Sequence, residues 1–137
     1  METKVKFFPE KKLGILKFTG DIEVEDILSL LTVTYEADEY PFITHSILDF
    51  RNCTFQFSHE DVAKTVELVR RYSFRNKHVK TALLVKSPKV TALAQVFQRD
   101  LGVPEKLIGI YSTPEHLLYS FNLPLTEEEL EEMIRGI

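Results

Sequence analysis

Residues 80–97 read KTALLVKSPKVTALAQVF, and the first seven of them decide the fold. Ala82, Leu83, Leu84 and Val85 follow one another with no polar residue between them. A strand with one wet face alternates apolar and polar side chains. An unbroken apolar run belongs to a strand covered on both faces, as in the middle of a parallel sheet. The continuation agrees. Ser87 caps a helix, and Pro88 at the first helical position gives up no N–H that the helix needs. Val90, Leu93, Ala94, Phe97 and Leu101 fall on one helical face, and Gly102 stops the helix.

Reading outward, the same alternation of strand and helix recurs. HSILDF (45–50) is strand-like, and a helix over 58–73 carries Val62, Val66, Val69 and Ser73 on one face. Upstream, a helix over about 23–37 has Ile27, Leu28, Leu31 and Tyr35 at helical spacing, and Tyr40-Pro41 ends it. KVKFF (4–8) and KLGILKF (12–18) form a hairpin about Pro9-Glu10-Lys11, and Thr19-Gly20-Asp21 breaks the second strand. Downstream, KLIGIYS (106–112) is the last strand, and Thr113-Pro114 opens a short helix through about Phe121. Thr126 and Glu129 form a capping box for the final helix, whose three leading glutamates favour the positive end of the helix dipole. Strands joined through helices run parallel, with right-handed crossovers. The expectation is a single α/β domain, 1–137: a five-stranded mixed sheet, with an N-terminal antiparallel hairpin followed by a parallel βαβαβ unit, covered by helices.

Composition narrows the function classes. With 44% hydrophobic and 28% charged residues, the 137-residue chain reads as one ordinary globular domain rather than a fibre or a disordered segment. A net charge of −4 is no match for nucleic acid or an anionic membrane, so neither partner is expected. The single cysteine, Cys53, allows no intrachain disulfide, which fits a reducing compartment. The N-terminal METKVKFFPEKK has no apolar signal core, and no stretch approaches the ~20 apolar residues of a spanning helix. A soluble, cytoplasmic protein that does not cross a membrane is expected.

Three stretches carry a family resemblance: FTGDIEVEDILSLL (18–31), ILDFRNCTFQFSHEDV (47–62) and KTALLVKSPKVTALAQVF (80–97). They resemble the STAS domain, and more closely the SpoIIAA-like group of small bacterial proteins, whose topology also evokes the lipid-binding SEC14 domain. The resemblance implies a regulatory module acting through protein–protein contact. In STAS antagonists a hydroxyl residue at the start of the helix after the central strand is phosphorylated, within a pattern of roughly Asp-Ser-Ser-Gly-Leu-Gly. Here Ser58 falls on a serine of that pattern, whereas Phe57 replaces the preceding Asp and both glycines are missing.

The residues themselves offer plainer accounts. Ser58 and Asp61 read as a capping box ahead of an apolar helical stripe. Asp49, late in its strand, accepts N–H groups of the next loop or pairs with Arg51; as a ligand contact it would lie where parallel sheets place their sites. Cys53, Phe55 and Phe57 alternate with polar residues and read as a core edge, or as a partner or lipid contact if exposed. The basic run RRYSFRNKHVK (70–80) places Arg70, Arg71, Arg75 and Lys77 near aromatic side chains, a candidate anion grip. Its local account is a helix C-terminus, where cations offset the dipole, followed by a solvated loop. Four scattered histidines show no metal-ligand spacing, and no phosphate loop or nucleophile elbow is present, so neither metal nor cofactor is expected. Asp49, His59 and Glu60 are the only cluster that an enzyme reading offers.

The sequence thus predicts a non-enzymatic STAS-like regulatory or interaction module from a bacterium, with Asp49, Phe55, Phe57, Ser58 and His59 as its candidate surface. Its partner is an unidentified protein, and a homodimer is open to it. The alternative is a binding protein for a small apolar or lipid-like ligand in a Phe-lined pocket, because ten Phe and five Tyr are many for this length.

Overall fold

The computed structural model describes residues 1–103 and 107–137. Five strands form one sheet in chain order: β1 (Glu2–Phe8), β2 (Leu13–Asp21), β3 (His45–Thr54), β4 (Lys80–Leu84) and β5 (Ile108–Tyr111). β1 pairs with β2 antiparallel, and β2 to β5 run parallel. Helices α1 (Val24–Glu36), α2 (His59–Tyr72) and α3 (Pro88–Leu101) make the crossovers, followed by α4 (Pro114–Phe121) and α5 (Glu127–Arg135). This is the mixed α/β sheet expected from the unbroken run at 82–85.

Strand periodicity assigns each side chain to a layer. Leu16, Leu48, Leu83 and Val85 face the layer of α1, α2 and α3, whereas Leu13, Ile15, Ile47, Ala82 and Leu84 face α4 and α5. Ile15, Ile47, Ala82 and Leu84 are fully buried. Gly109 and Tyr111 share one face of β5. A Cβ at residue 109 would collide with the Tyr111 ring and hydroxyl, so the ring needs glycine beneath it.

The helix termini follow their sequence signals. Ser87 accepts from the Val90 N–H at 3.2 Å, and Gly102 ends α3 at φ 74°, a left-handed conformation that costs glycine little. Thr126 and Glu129 form the reciprocal pair at the start of α5.

Two strands run further than the sequence pattern predicts. β2 continues through Thr19-Gly20-Asp21, expected as a break, and β3 continues past Phe50 to Thr54. The extensions pair with each other, Thr19 with Asn52, Gly20 with Cys53 and Asp21 with Thr54, after a register shift between Lys17 and Thr19. Gly20 is tolerated inside the strand because its φ of 86° suits glycine. β5 begins at Ile108 rather than 106; Lys106, the first residue of the predicted strand, lies outside the described residues.

Ile47 sits at the centre of the sheet with no exposure, beneath α4 and α5. Ile47→Ala should lower stability by about 3 kcal/mol in urea denaturation, the usual range for emptying a buried aliphatic site.

Candidate functional site

On the α1–α3 side the sheet and helices do not close on each other completely. A cavity of about 530 Å³ lies between them, with Leu16, Leu48 and Leu83 as its floor and Ile27, Val62 and Ala94 among its helical walls. Aromatic side chains concentrate at its ends. Phe50 and Phe55 meet edge to face at 5.8 Å between ring centroids, and Phe55 stacks on Phe57 at 4.4 Å. Tyr35 meets Tyr40 edge to face at 5.0 Å, and Tyr72 lies 5.7 Å from Tyr35. Among the lining residues Arg70, Ser73 and Lys77 are exposed, so the cavity meets solvent beside the end of α2.

The loop after β3 forms one end of this cavity. Phe55 is buried and Phe57 half-buried, and both line the space, while Thr54 and Gln56 point to solvent. Cys53 is buried, donates its thiol to the Phe50 carbonyl at 3.3 Å, and has its pKa pushed up to about 12 by burial and then by Asp49. It is therefore a protonated thiol rather than a nucleophile at neutral pH. Ser58, His59 and Glu60 are exposed. Ser58 Oγ accepts from the Asp61 N–H at 3.1 Å, and Asp61 Oδ2 accepts from the Ser58 N–H at 3.0 Å. The local account of Ser58 as a helix cap is thus realised in full.

Asp49 points the other way, toward α5, and is 2% exposed. Its carboxylate accepts the backbone N–H, Nε and Nη2 of Arg51, each at 3.0 Å. Arg51 then grips Glu131 of α5 with two bonds, Nη2 to Oε1 at 2.7 Å and Nη1 to Oε2 at 3.1 Å. Burial opposes the Arg51 charge, but the two carboxylates more than offset it and hold its pKa above the ordinary value. The Glu131 pKa is lowered, chiefly by its hydrogen bonds from Arg51. Lys17 adds a bond from Nζ to the Ile134 carbonyl at 3.2 Å. The network fastens α5 to the sheet, and Glu131 was not legible as its member because 80 residues separate it from Arg51. Asp49 is thereby set apart from His59 and Glu60, which start the helix covering the opposite face. No acid–base cluster forms from the three.

The basic run also has structural partners. Arg70 Nη2 donates to the Asp100 carbonyl at 2.9 Å and the Leu101 carbonyl at 3.3 Å, capping the end of α3. Arg75 Nη2 donates to the Ala37 carbonyl at the end of α1 at 3.1 Å. Arg71 pairs with Glu67 on the surface at 3.2 Å. Only Lys77 of the four has no such partner among the described residues. The cations hold helix C-termini, where partial negative charge accumulates. Among the described residues no group of three His, Cys, Asp or Glu side chains is placed to hold a metal ion. No described helix is long and apolar enough to cross a membrane.

No family model and no curated protein matches this sequence. Solved structures do. The anti-sigma factor antagonist SpoIIAA in its unphosphorylated form superposes with a TM-score of 0.53 at 18% identity, covering 99% of this chain and all of that one. An uncharacterised protein of the DUF3478 family from Shewanella loihica, described as having a SpoIIAA-like fold, gives a TM-score of 0.53 at 12% identity, with 86% of this chain and 90% of that one covered. The chain therefore has the SpoIIAA-like, STAS-type fold that the three sequence stretches implied.

Three variants test this site. Arg51→Met leaves the Asp49 charge buried without its cation and should cost roughly 3 kcal/mol in denaturant titration. The folded-state pKa of Glu131 lies below its unfolded value, so its ion pair contributes fully above the ordinary glutamate range and is lost as pH falls through the depressed value. Glu131→Gln should accordingly show a shallower loss of stability than wild type below about pH 4.5. Ser58→Ala should cost about 1 kcal/mol through loss of the cap alone.

Proposed function

We propose that this protein is a non-enzymatic binding module that holds a small apolar or lipid-like ligand between its sheet and helices α1–α3. The cavity of about 530 Å³ carries this reading, since it falls within the ~300–1,000 Å³ of typical small-molecule sites and its walls are chiefly aliphatic and aromatic. Among the described residues, the groups weighed as catalytic are not gathered there. Asp49 is engaged by Arg51 on the far face of the sheet, and Cys53 is a buried, protonated thiol. Phe55 and Phe57 belong both to the cavity wall and to the loop that leads to the exposed start of α2. These two rings join the cavity wall to the surface at 53–62.

A second reading concerns that surface. It is the contact site for a regulatory protein partner, with Ser58 and His59 exposed beside half-buried Phe57. The similarity in fold to an anti-sigma factor antagonist supports it. Ser58→Glu would then change what the protein retains from a bacterial lysate, and identical retention by both forms would refute the role of Ser58.

Native mass spectrometry of gently purified protein tests the ligand reading. A mass excess of one small molecule, or a rise in melting temperature with fatty acids, long-chain ketones or isoprenoids, is the expected result. An apo mass together with no thermal response to any of these classes overturns it.

A further inference from the structure

The cavity wall is one-sided in charge. Among the described residues its only charged lining side chains are two cations, Arg70 and Lys77, and no Asp or Glu lines it. This runs against the chain as a whole, which carries 21 acidic residues and 17 Lys and Arg. Both cations are exposed and stand at the mouth, beside the end of α2. Deeper in, the polar side chains are spent on the chain itself. Thr34 Oγ1 donates to the Leu30 carbonyl at 2.7 Å and Thr65 Oγ1 to the Asp61 carbonyl at 3.0 Å. Ser46 and Thr81 bond to each other at 2.8 Å. The space is thus apolar within and cationic where it opens.

Neither cation is offset by an ion pair among the described residues. Arg70 Nη2 donates to the Asp100 and Leu101 carbonyls, which fix the side chain and leave its charge uncompensated by a carboxylate. Lys77 follows Asn76, whose Nδ2 donates to the Tyr40 and Ile43 carbonyls at 2.9 and 2.8 Å. The backbone that carries Lys77 is therefore anchored at the mouth. The acids nearby stand outside the lining. Glu36 accepts the Tyr72 hydroxyl at 2.8 Å, within the field of Arg71 and Arg75, and Asp38 and Glu39 are exposed on the turn before Tyr40. A cleft with apolar walls and charge of one sign focuses its field on the opposite sign. An anionic group at this mouth keeps part of its hydration and gains charge-assisted hydrogen bonds, whereas a neutral head gains little from the two charges and a cationic head is repelled.

We infer that the cavity takes a single-chain amphipathic anion, with its tail in the apolar space and its carboxylate or phosphate head at the mouth, held by Lys77 and Arg70. The inference rests on the ligand reading above and specifies its chemistry. It also sets the direction of the ligand: the head lies at the end of α2, and the tail runs along Leu16, Leu48 and Leu83 toward Phe55.

Titration calorimetry with decanoate, decyl phosphate, decanol and acetate tests it, at about pH 8 where both anionic heads are ionised, and at low salt. The decyl ligands are delivered from cyclodextrin. The proteins are wild type, Lys77→Met and Lys77→Glu, with melting temperatures recorded to establish that each variant is folded. Wild type should bind at least one of the two decyl anions about fivefold tighter than decanol, and acetate, a head without a tail, not measurably. Lys77→Met should lose most of that advantage and Lys77→Glu all of it, with decanol affinity unchanged. Roughly 0.5 M salt should shrink the advantage in wild type without weakening decanol. Binding of both decyl anions no tighter than decanol, an advantage that persists undiminished in Lys77→Glu, or acetate binding as tightly as decanoate overturns the inference, and decanol binding then leaves the ligand reading in place. Failure of wild type to bind any of the three decyl ligands overturns both.

Discussion

The middle strands of this sheet bury both faces, and most other features follow from that demand. Along β2, β3 and β4, successive side chains pass alternately to the α1–α3 layer and to the α4–α5 layer. A one-residue slip of any of these strands would exchange its two sets, and in β3 it would place Asp49 against the apolar interior of the other layer. The register of the parallel sheet is therefore fixed by burial, and the register in turn fixes which residues share a compartment. Leu16, Leu48 and Leu83 meet at the cavity floor for this reason, and Asp49 and Arg51 meet on the other side.

The two layers solve different problems. The α4–α5 layer is filled at its centre, where Leu117 and Leu130 have no exposure, and polar groups at its margin are joined in the Asp49–Arg51–Glu131 network. A buried ion pair of this kind is weak evidence for net stability, since desolvation offsets much of its attraction, but its two bonds to Glu131 tie α5 to β3. The α1–α3 layer leaves a cavity. Arg70 and Arg75 reach across to carbonyls at the ends of α3 and α1 and tie these helix ends to the C-terminal end of α2 and the turn after it. A chiefly apolar cavity of small-molecule size is the usual form of a ligand site, and it gives the proposed binding module its physical basis.

The fold and the chemistry therefore sit on different scales. A SpoIIAA-like topology at 18% identity describes the arrangement of strands and helices and nothing finer. The cavity, the two cations at its mouth and the cap at Ser58 are properties of this chain's own side chains.

The sequence by itself determined the sheet and its helices. The run at 82–85 demanded a doubly covered strand, and the caps at Ser58, Ser87 and Thr126 marked helix starts that the structure reproduces. These signals are local, arising from a few neighbouring residues and the periodicity of one element. Only the tertiary structure decided the rest. The extension of β2 through Gly20 depended on β3 lying alongside to pair with it. The second carboxylate on Arg51 came from α5, and the basic run from Arg70 to Lys77, a candidate anion grip whose local account is a helix C-terminus and a solvated loop, found carbonyls at the ends of two other helices. Whether fifteen aromatic residues fill a core or line a cavity is equally beyond periodicity, because both arrangements bury the same faces. The difference lies in how far the helices stand from the sheet, which is set by contacts between residues distant in the chain.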